Sequence, residues 1–261
     1  GNTPPTVSAG SNFTIPTGTP FTLTATASDV NGDTLTYSWE ERDLGPAVLL
    51  TAADNGSSPI VRPRPPSLSP SRTIPQLSDL LSNTSRNEEK LPAVARTMNW
   101  RVNVRDNRLN GGGVAHSEMS LNVVNTGAAF QVTSPNTAVS WAGASLQTVT
   151  WNVAGTTGNG INVSNVRILL STDGGNTFPT VLAASTPNDG SETISVPDIN
   201  TTQARIRVEP VGNIFFDVSN VNFTISAGVM AVASTTPAPN TLVSAPLNTL
   251  RVAFTRPYNP A

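Results

Sequence analysis

The chain contains no cysteine, which excludes a disulfide framework and any thiolate metal site. It contains one histidine, His116, so neither a His-Glu-x-x-His zinc centre nor any other His-rich site can be assembled. Charge is scarce as well. Only 12% of the residues are charged, about half of the roughly 25% usual in globular domains. Lys90 is the sole lysine, the net charge is −2, and no run is basic enough to hold nucleic acid. No apolar run approaches the ~18–20 residues that a membrane-spanning helix needs. No Gly-x-Ser-x-Gly elbow supports a serine nucleophile. The first residue is glycine and no signal peptide is present, so the 261 residues are expected to be a mature or excised piece of something longer.

What fills the chain is threonine, serine, asparagine and glycine, in a pattern of period two. Phe21, Leu23, Ala25 and Ala27 alternate with Thr22, Thr24, Thr26 and Ser28. Leu35, Tyr37 and Trp39 alternate with Thr34, Thr36 and Ser38. Each run reads as a strand with one buried face. The turn between them, Asp29-Val30-Asn31-Gly32-Asp33, carries the Asn-Gly pair that supplies positive φ. Alternation returns at Met98, Trp100, Val102 and Val104, and a closing strand follows over 116–124.

Segment 44–96 breaks the pattern and carries eight prolines, at 46, 59, 63, 65, 66, 70, 75 and 92. Only Leu77, Leu80 and Leu81 have helical spacing there. A segment this long without periodicity reads as a cover over a sheet edge or as a displayed binding loop. Residues 1–126 are thus expected to form an immunoglobulin-like sandwich interrupted by 44–96. Residues 128–227 carry about seven short strands with turns every 8–12 residues, which predicts a second, fibronectin-like sandwich. Residues 228–261 hold two strands, over 229–233 and 250–254, too few for an independent unit. They predict either an incomplete Ig-like unit or strands donated to another surface. The expected class is all-β: two tandem Ig/fibronectin-like sandwiches plus a partial third unit.

Candidate chemistry is thin. Asp29, Asn31 and Asp33 alternate across one turn and offer hard oxygen ligands suited to calcium, with Asp106 and Asn107 able to complete the set from a second loop if both loops share one end of the sandwich. The alternative is that these side chains cap their own turns. Glu40-Glu41 and Glu88-Glu89 fall where solvated loops are expected. Neighbouring strand residues face opposite ways, which is poor geometry for an acid/base pair. Trp39, Trp100 and Trp151 lie in phase with apolar neighbours and are expected in the cores. Trp141, flanked by Ser140 and Ala142 near a turn, is the one expected to be exposed and able to stack on a sugar. His116 is expected on the surface.

Ser171, Asp173, Gly175, Thr177 and Phe178 fit the Asp-box pattern Ser-x-Asp-x-Gly-x-Thr-aromatic. This resembles the hairpin turns of sialidase propellers and of some fibronectin-like modules. One copy cannot supply a propeller, and the resemblance implies a structural turn. Residues 132–136 (VTSPN), 148–152 (TVTWN) and 219–225 (SNVNFTI) occur in an order that resembles the Ser/Thr-rich cell-wall-associated module of fungal glucan-assembly proteins and of many bacterial secreted proteins. Residues 33–40 (DTLTYSWE), 91–107 (LPAVARTMNWRVNVRDN) and 186–192 (TPNDGSE) make the tandem pair resemble the accessory region downstream of the reprolysin-like zinc peptidase domain in secreted bacterial metalloproteases. The tail, with 234–240 (STTPAPN) and 252–255 (VAFT), resembles the start of a bacterial Ig-like domain.

These resemblances imply a non-catalytic spacer or adhesion module, exported from a bacterium, whose partners are other domains of a longer chain. Two further readings stay open. One is a fibre or surface-layer subunit that self-associates by strand addition through the tail. The other is a module that binds cell-wall or extracellular polysaccharide through 44–96 or Trp141.

Overall fold

A computed structural model describes residues 1–228, 232–242 and 249–254. The described chain is nearly all β. Its first part builds two layers. One is a four-stranded sheet in the order β2-β8-β7-β5, from Phe13–Pro16, Val114–Val124, Arg96–Arg105 and Thr36–Glu41. The facing layer consists of two strand pairs: β1 (Thr6–Ser8) with β4 (Thr26–Ser28), and β3 (Phe21–Thr24) with β6 (Ser71–Ile74). The alternation in the sequence decides which residues face inward. Phe21, Leu23 and Ala25 meet Met98, Trp100, Val102 and Val104 in the core. Phe21 and Trp100 contact edge-to-face with ring centroids 6.0 Å apart.

The second part repeats this arrangement. A three-stranded sheet, β14-β11-β9 (Ser191–Ser195, Leu146–Asn152, Gln131–Ser134), is one layer. The other runs β10-β17-β15-β12-β13, from Ser140–Ala142, Phe223–Ser226, Thr201–Pro210, Asn165–Ser171 and Thr180–Pro187, and β16 (Asp217–Val218) pairs with β15. Val149, Trp151, Ile168, Leu170, Ile206 and Val208 fill the space between the layers. Asp217 is buried here, accepting the Val132 N–H at 2.7 Å. Burial pushes its carboxyl up to about 7.

Segment 44–96 is more ordered than its composition suggests. It supplies β6, a strand that aperiodic reading overlooks because Arg72 occupies an inward position where an apolar residue is expected. It also supplies α1 (Leu77–Leu81), where helical spacing was expected. The rest is held by buried charge. The Arg96 side chain, fully buried, meets Asp43 Oδ2 at 2.5 Å, Asp54 Oδ1 at 2.8 Å and Glu41 Oε1 at 3.2 Å. It also donates to the Ser58 carbonyl at 2.9 Å. Glu89 joins Arg72 and Arg64 and accepts the Gln76 N–H at 2.7 Å.

Glu41 and Glu89 are therefore buried ion-pair partners, not the solvated loop residues expected from sequence. The reason is that each has an arginine to neutralise it. One guanidinium faces three carboxylates around Arg96, and burial pushes Glu41 up to about 7 despite two backbone N–H donors.

In the tail, β18 (Val232–Thr236) pairs antiparallel with β19 (Arg251–Phe254), so these strands satisfy each other. The first residues of the strand expected over 229–233 lie outside the described residues.

Removing Arg96 would leave buried carboxylates uncompensated. Arg96→Ala is expected to destabilise the first sandwich by about 3–5 kcal/mol. Urea unfolding followed by tryptophan fluorescence measures this, and a loss under about 1 kcal/mol would contradict the network's role.

Candidate functional site

The two sandwiches meet through a bonded junction. Phe21 of β3 forms an antiparallel bridge with Phe215. Thr22 N donates to the Ile214 carbonyl at 3.0 Å, and Phe216 N donates to the Pro20 carbonyl at 2.9 Å. Phe130 N donates to Thr19 Oγ1 at 3.0 Å, and Asn213 Nδ2 donates to the Thr14 carbonyl at 2.9 Å. The Phe130 and Phe215 rings meet at 5.1 Å. On another side α1 braces the second sandwich: Arg205 donates to the Leu81 carbonyl at 3.1 Å, and Asn83 Nδ2 donates to the Asn220 carbonyl at 2.8 Å. A Cβ at Gly175 would stand 2.5 Å from Leu81 Cδ2, so this glycine lets α1 approach.

At the far end of the first sandwich, the turn after β4 and the loop after β7 come together. Asp29, Asp33 and Asp106 each place a carboxylate oxygen within 4.8 Å of the others. Asp29 Oδ1 accepts the N–H groups of Asn31 at 2.8 Å and Asp33 at 3.1 Å, the local capping expected of an Asx turn. Gly32 takes φ +74°, as the Asn-Gly pair requires. Asp106 is buried. It accepts Asn2 Nδ2 at 2.6 Å and the Gly113 N–H at 2.8 Å, and these donors hold its carboxyl below the usual carboxylate range. A Cβ on Gly113 would stand 2.6 Å from Pro4 Cα.

Two of the expected ligands do other work. Asn31 Oδ1 accepts the Thr3 N–H at 2.9 Å. Asn107 Oδ1 accepts Thr36 Oγ1 at 3.1 Å. Arg108 contributes a cation, 3.1 Å from Asp33 Oδ2. Two buried oxygens at the cluster, Asp29 Oδ2 and Asn2 Oδ1, have no hydrogen-bond partner among the described residues. Buried oxygens without a donor carry a desolvation cost that a hard cation would remove. The donor set fits calcium: three carboxylates and an amide oxygen. Asn2 escaped sequence reading because nothing local shows that the Pro4-Pro5 entry segment folds back beside residue 106.

Trp141 is not the exposed platform expected. It sits in β10, is 7% exposed, and its ring lies 4.6 Å from that of Phe223. The parallel pairing of β10 with β17 carries it inward, which flanking Ser140 and Ala142 do not reveal. Trp39, Trp100 and Trp151 are buried. His116 is exposed. In segment 44–96, Leu44 and Leu49 project into solvent.

The Asp-box residues form a closed turn. Ser171 Oγ donates to Asp173 Oδ1 at 2.6 Å and accepts the Gly175 N–H at 2.8 Å. Asp173 also accepts the N–H of Thr177 at 3.0 Å and its hydroxyl at 2.6 Å. Gly175 takes φ +98°. Phe178 then lies against Arg207, whose guanidinium carbon is 5.8 Å from its ring centre.

No family model matches the chain, and no curated protein matches it. Among solved structures, it is similar to the tandem Ig repeats of Dlar at 10% identity and TM-score 0.41, covering 86% of this chain and 99% of that one. It is similar to Drosophila N-cadherin EC1-4 at 10% identity and TM-score 0.29, covering 88% of this chain and 50% of that one. It is also similar to a Bacteroides ovatus mixed-linkage glucan utilization locus protein, SGBP-B, at 15% identity and TM-score 0.23, covering 86% and 48%. At these scores the likenesses carry no argument about binding or activity.

Ser171 and Thr177 hold the Asp173 carboxyl well below the usual carboxylate range. A depressed pKa contributes stability that is present above the unfolded value of about 3.9 and lost as pH falls through the folded one. Asp173→Ala should therefore melt below the parent chain at pH 7, and the gap should shrink on acidification below about pH 4. Calorimetric scans from pH 2 to pH 7 measure the difference; a gap that widened on acidification would contradict this capping role.

Proposed function

We propose that the chain is a non-catalytic spacer or adhesion module of a larger secreted or surface protein of bacterial origin, with its two sandwiches acting as one rigid unit. The observation that carries this reading is the junction. The edge of β3 pairs with residues 214–216 of the second sandwich by backbone hydrogen bonds instead of facing a free linker. Export is supported by the low charge, the Thr/Ser/Asn-rich composition and the resemblance to accessory modules. Among the described residues, no helix is long and apolar enough to cross a membrane.

The absence of native cysteine makes a direct test simple. Spin labels at Asn122→Cys and Thr193→Cys, one exposed site in each sandwich, are expected to give one narrow distance distribution by pulsed electron resonance. A broad distribution would show freely jointed modules and overturn the rigid-spacer reading.

We also propose that calcium binds at Asp29, Asp33, Asp106 and Asn2, tying the N-terminal segment to the end of the first sandwich. The unpartnered oxygens of Asp29 and Asn2 support this. Binding to the folded state alone at a hundredfold excess over Kd adds about 2.7 kcal/mol. The melting temperature should rise by several degrees between chelator and excess calcium, and Asp29→Ala should abolish the rise. Identical melting in both buffers would rule the ion out.

A further inference from the structure

The junction also creates a cleft that neither sandwich has alone. Its volume is about 370 Å³, at the small end of ligand-pocket sizes. Thr22 and Thr24 of β3 line one side. Arg167, Arg207, Glu209 and Asn213 of the second sandwich line the other.

Arg167 and Arg207 share one carboxylate. Arg167 Nε bonds Glu209 Oε1, and Arg207 Nε stands 2.5 Å from Glu209 Oε2 as an ion pair without hydrogen-bond alignment. Two cations against one anion leave a local charge of +1 in a chain whose net charge is −2. The terminal nitrogens of both guanidiniums have no hydrogen-bond partner among the described residues, and the Arg167 side chain is 53% exposed. Arg207 is fixed in place, with its guanidinium carbon 3.8 Å from the centre of the Phe216 ring and Phe178 farther off. A guanidinium already held by stacking loses little freedom on binding an anion.

The facing wall is hydroxylic. Thr22 Oγ1 pairs with Thr73 Oγ1 at 2.9 Å, and Thr24 Oγ1 pairs with Ser71 Oγ at 2.9 Å. Each hydroxyl pair uses one O–H in its own bond, so it keeps one further donor and spare lone pairs.

We propose that this cleft binds a carboxylate-bearing sugar unit of an acidic polysaccharide. The carboxylate pairs with the free ends of Arg167 and Arg207, where the planar fork matches its two oxygens. The ring hydroxyls meet the Thr22 and Thr24 wall, and this wall favours a sugar acid over an acidic peptide side chain. The site is separate from the exposed loop and the tryptophan considered above, and it rests on the rigid junction of the spacer reading, because its two walls come from different sandwiches. The two failures are distinguishable: a broad label distribution removes the junction and the cleft together, whereas a narrow distribution without binding overturns the cleft alone.

The test is calorimetric titration of the intact chain with trigalacturonate, with maltotriose and with a tri-glutamate peptide at low ionic strength. Trigalacturonate is expected to bind, maltotriose to bind at least tenfold more weakly, and added salt to weaken the first. Arg167→Gln, at a half-exposed position, should lose tenfold or more in affinity for trigalacturonate with an unchanged melting temperature. Thr24→Val should lose several-fold, and it tests the opposite wall should the arginine variant misfold. No heat with trigalacturonate at millimolar concentration, or full affinity in both variants, would overturn the proposal. Tri-glutamate binding as tightly as trigalacturonate would assign the cleft to acidic peptide and overturn the sugar.

Discussion

The bridge between Phe21 and Phe215 is the contact on which the arrangement of the two sandwiches depends. A sheet edge carries unpaired N–H and C=O groups that must find partners. In the first sandwich, β6 satisfies one side of β3, and residues 214–216 of the second sandwich satisfy the other near the junction. The apolar consequence follows. Phe21, Phe130 and Phe215 are all buried beside this bridge, Phe130 against Phe215. Both the mutual orientation of the sandwiches and the cleft beside the junction derive from this pairing.

A second constraint is electrostatic. The chain has few charges and buries several of them. The side chains of Arg72, Arg96, Glu41, Asp43 and Glu89 are withdrawn from solvent in and around the segment where strand periodicity is missing. A long proline-rich connection whose apolar residues follow no strand period contributes only a few side chains, such as Val61 and Ile74, to the core, and directional ion pairs and hydrogen bonds fix much of the rest. Such networks depend on all their members, because a charge left alone in the interior costs more than a well-made pair gains.

How much of this was legible in sequence follows the same division. Strands with strict alternation, such as those bearing Met98, Trp100 and Val102, declare themselves because period two survives without tertiary information. The Asp-box turn was legible because all its bonds lie within a few residues. Asp29 and Asp33 were legible as one turn, and Asp106 could join them only if both loops shared one end of the sandwich, a condition that the sequence leaves open and the structure meets. What was hidden depended on distant partners. Arg72 looks like a surface residue until Glu89 is beside it, Trp141 looks exposed until Phe223 covers it, and Asn2 has no meaning until it meets Asp106. The clustering of Arg167, Arg207 and Glu209 at a domain boundary has no local signature at all.

One repeated detail of the topology has a mechanical meaning. In each sandwich an early strand runs parallel to the last one: β2 beside β8, and β10 beside β17. Tension drawn through the two ends of such a module pulls these neighbours in opposite directions along their length. The hydrogen bonds between them are then loaded together, in shear, and must break as a set; a hairpin pulled open at its end would lose them one by one. Both sandwiches carry this parallel patch, so a pull along the chain meets the same kind of clamp twice.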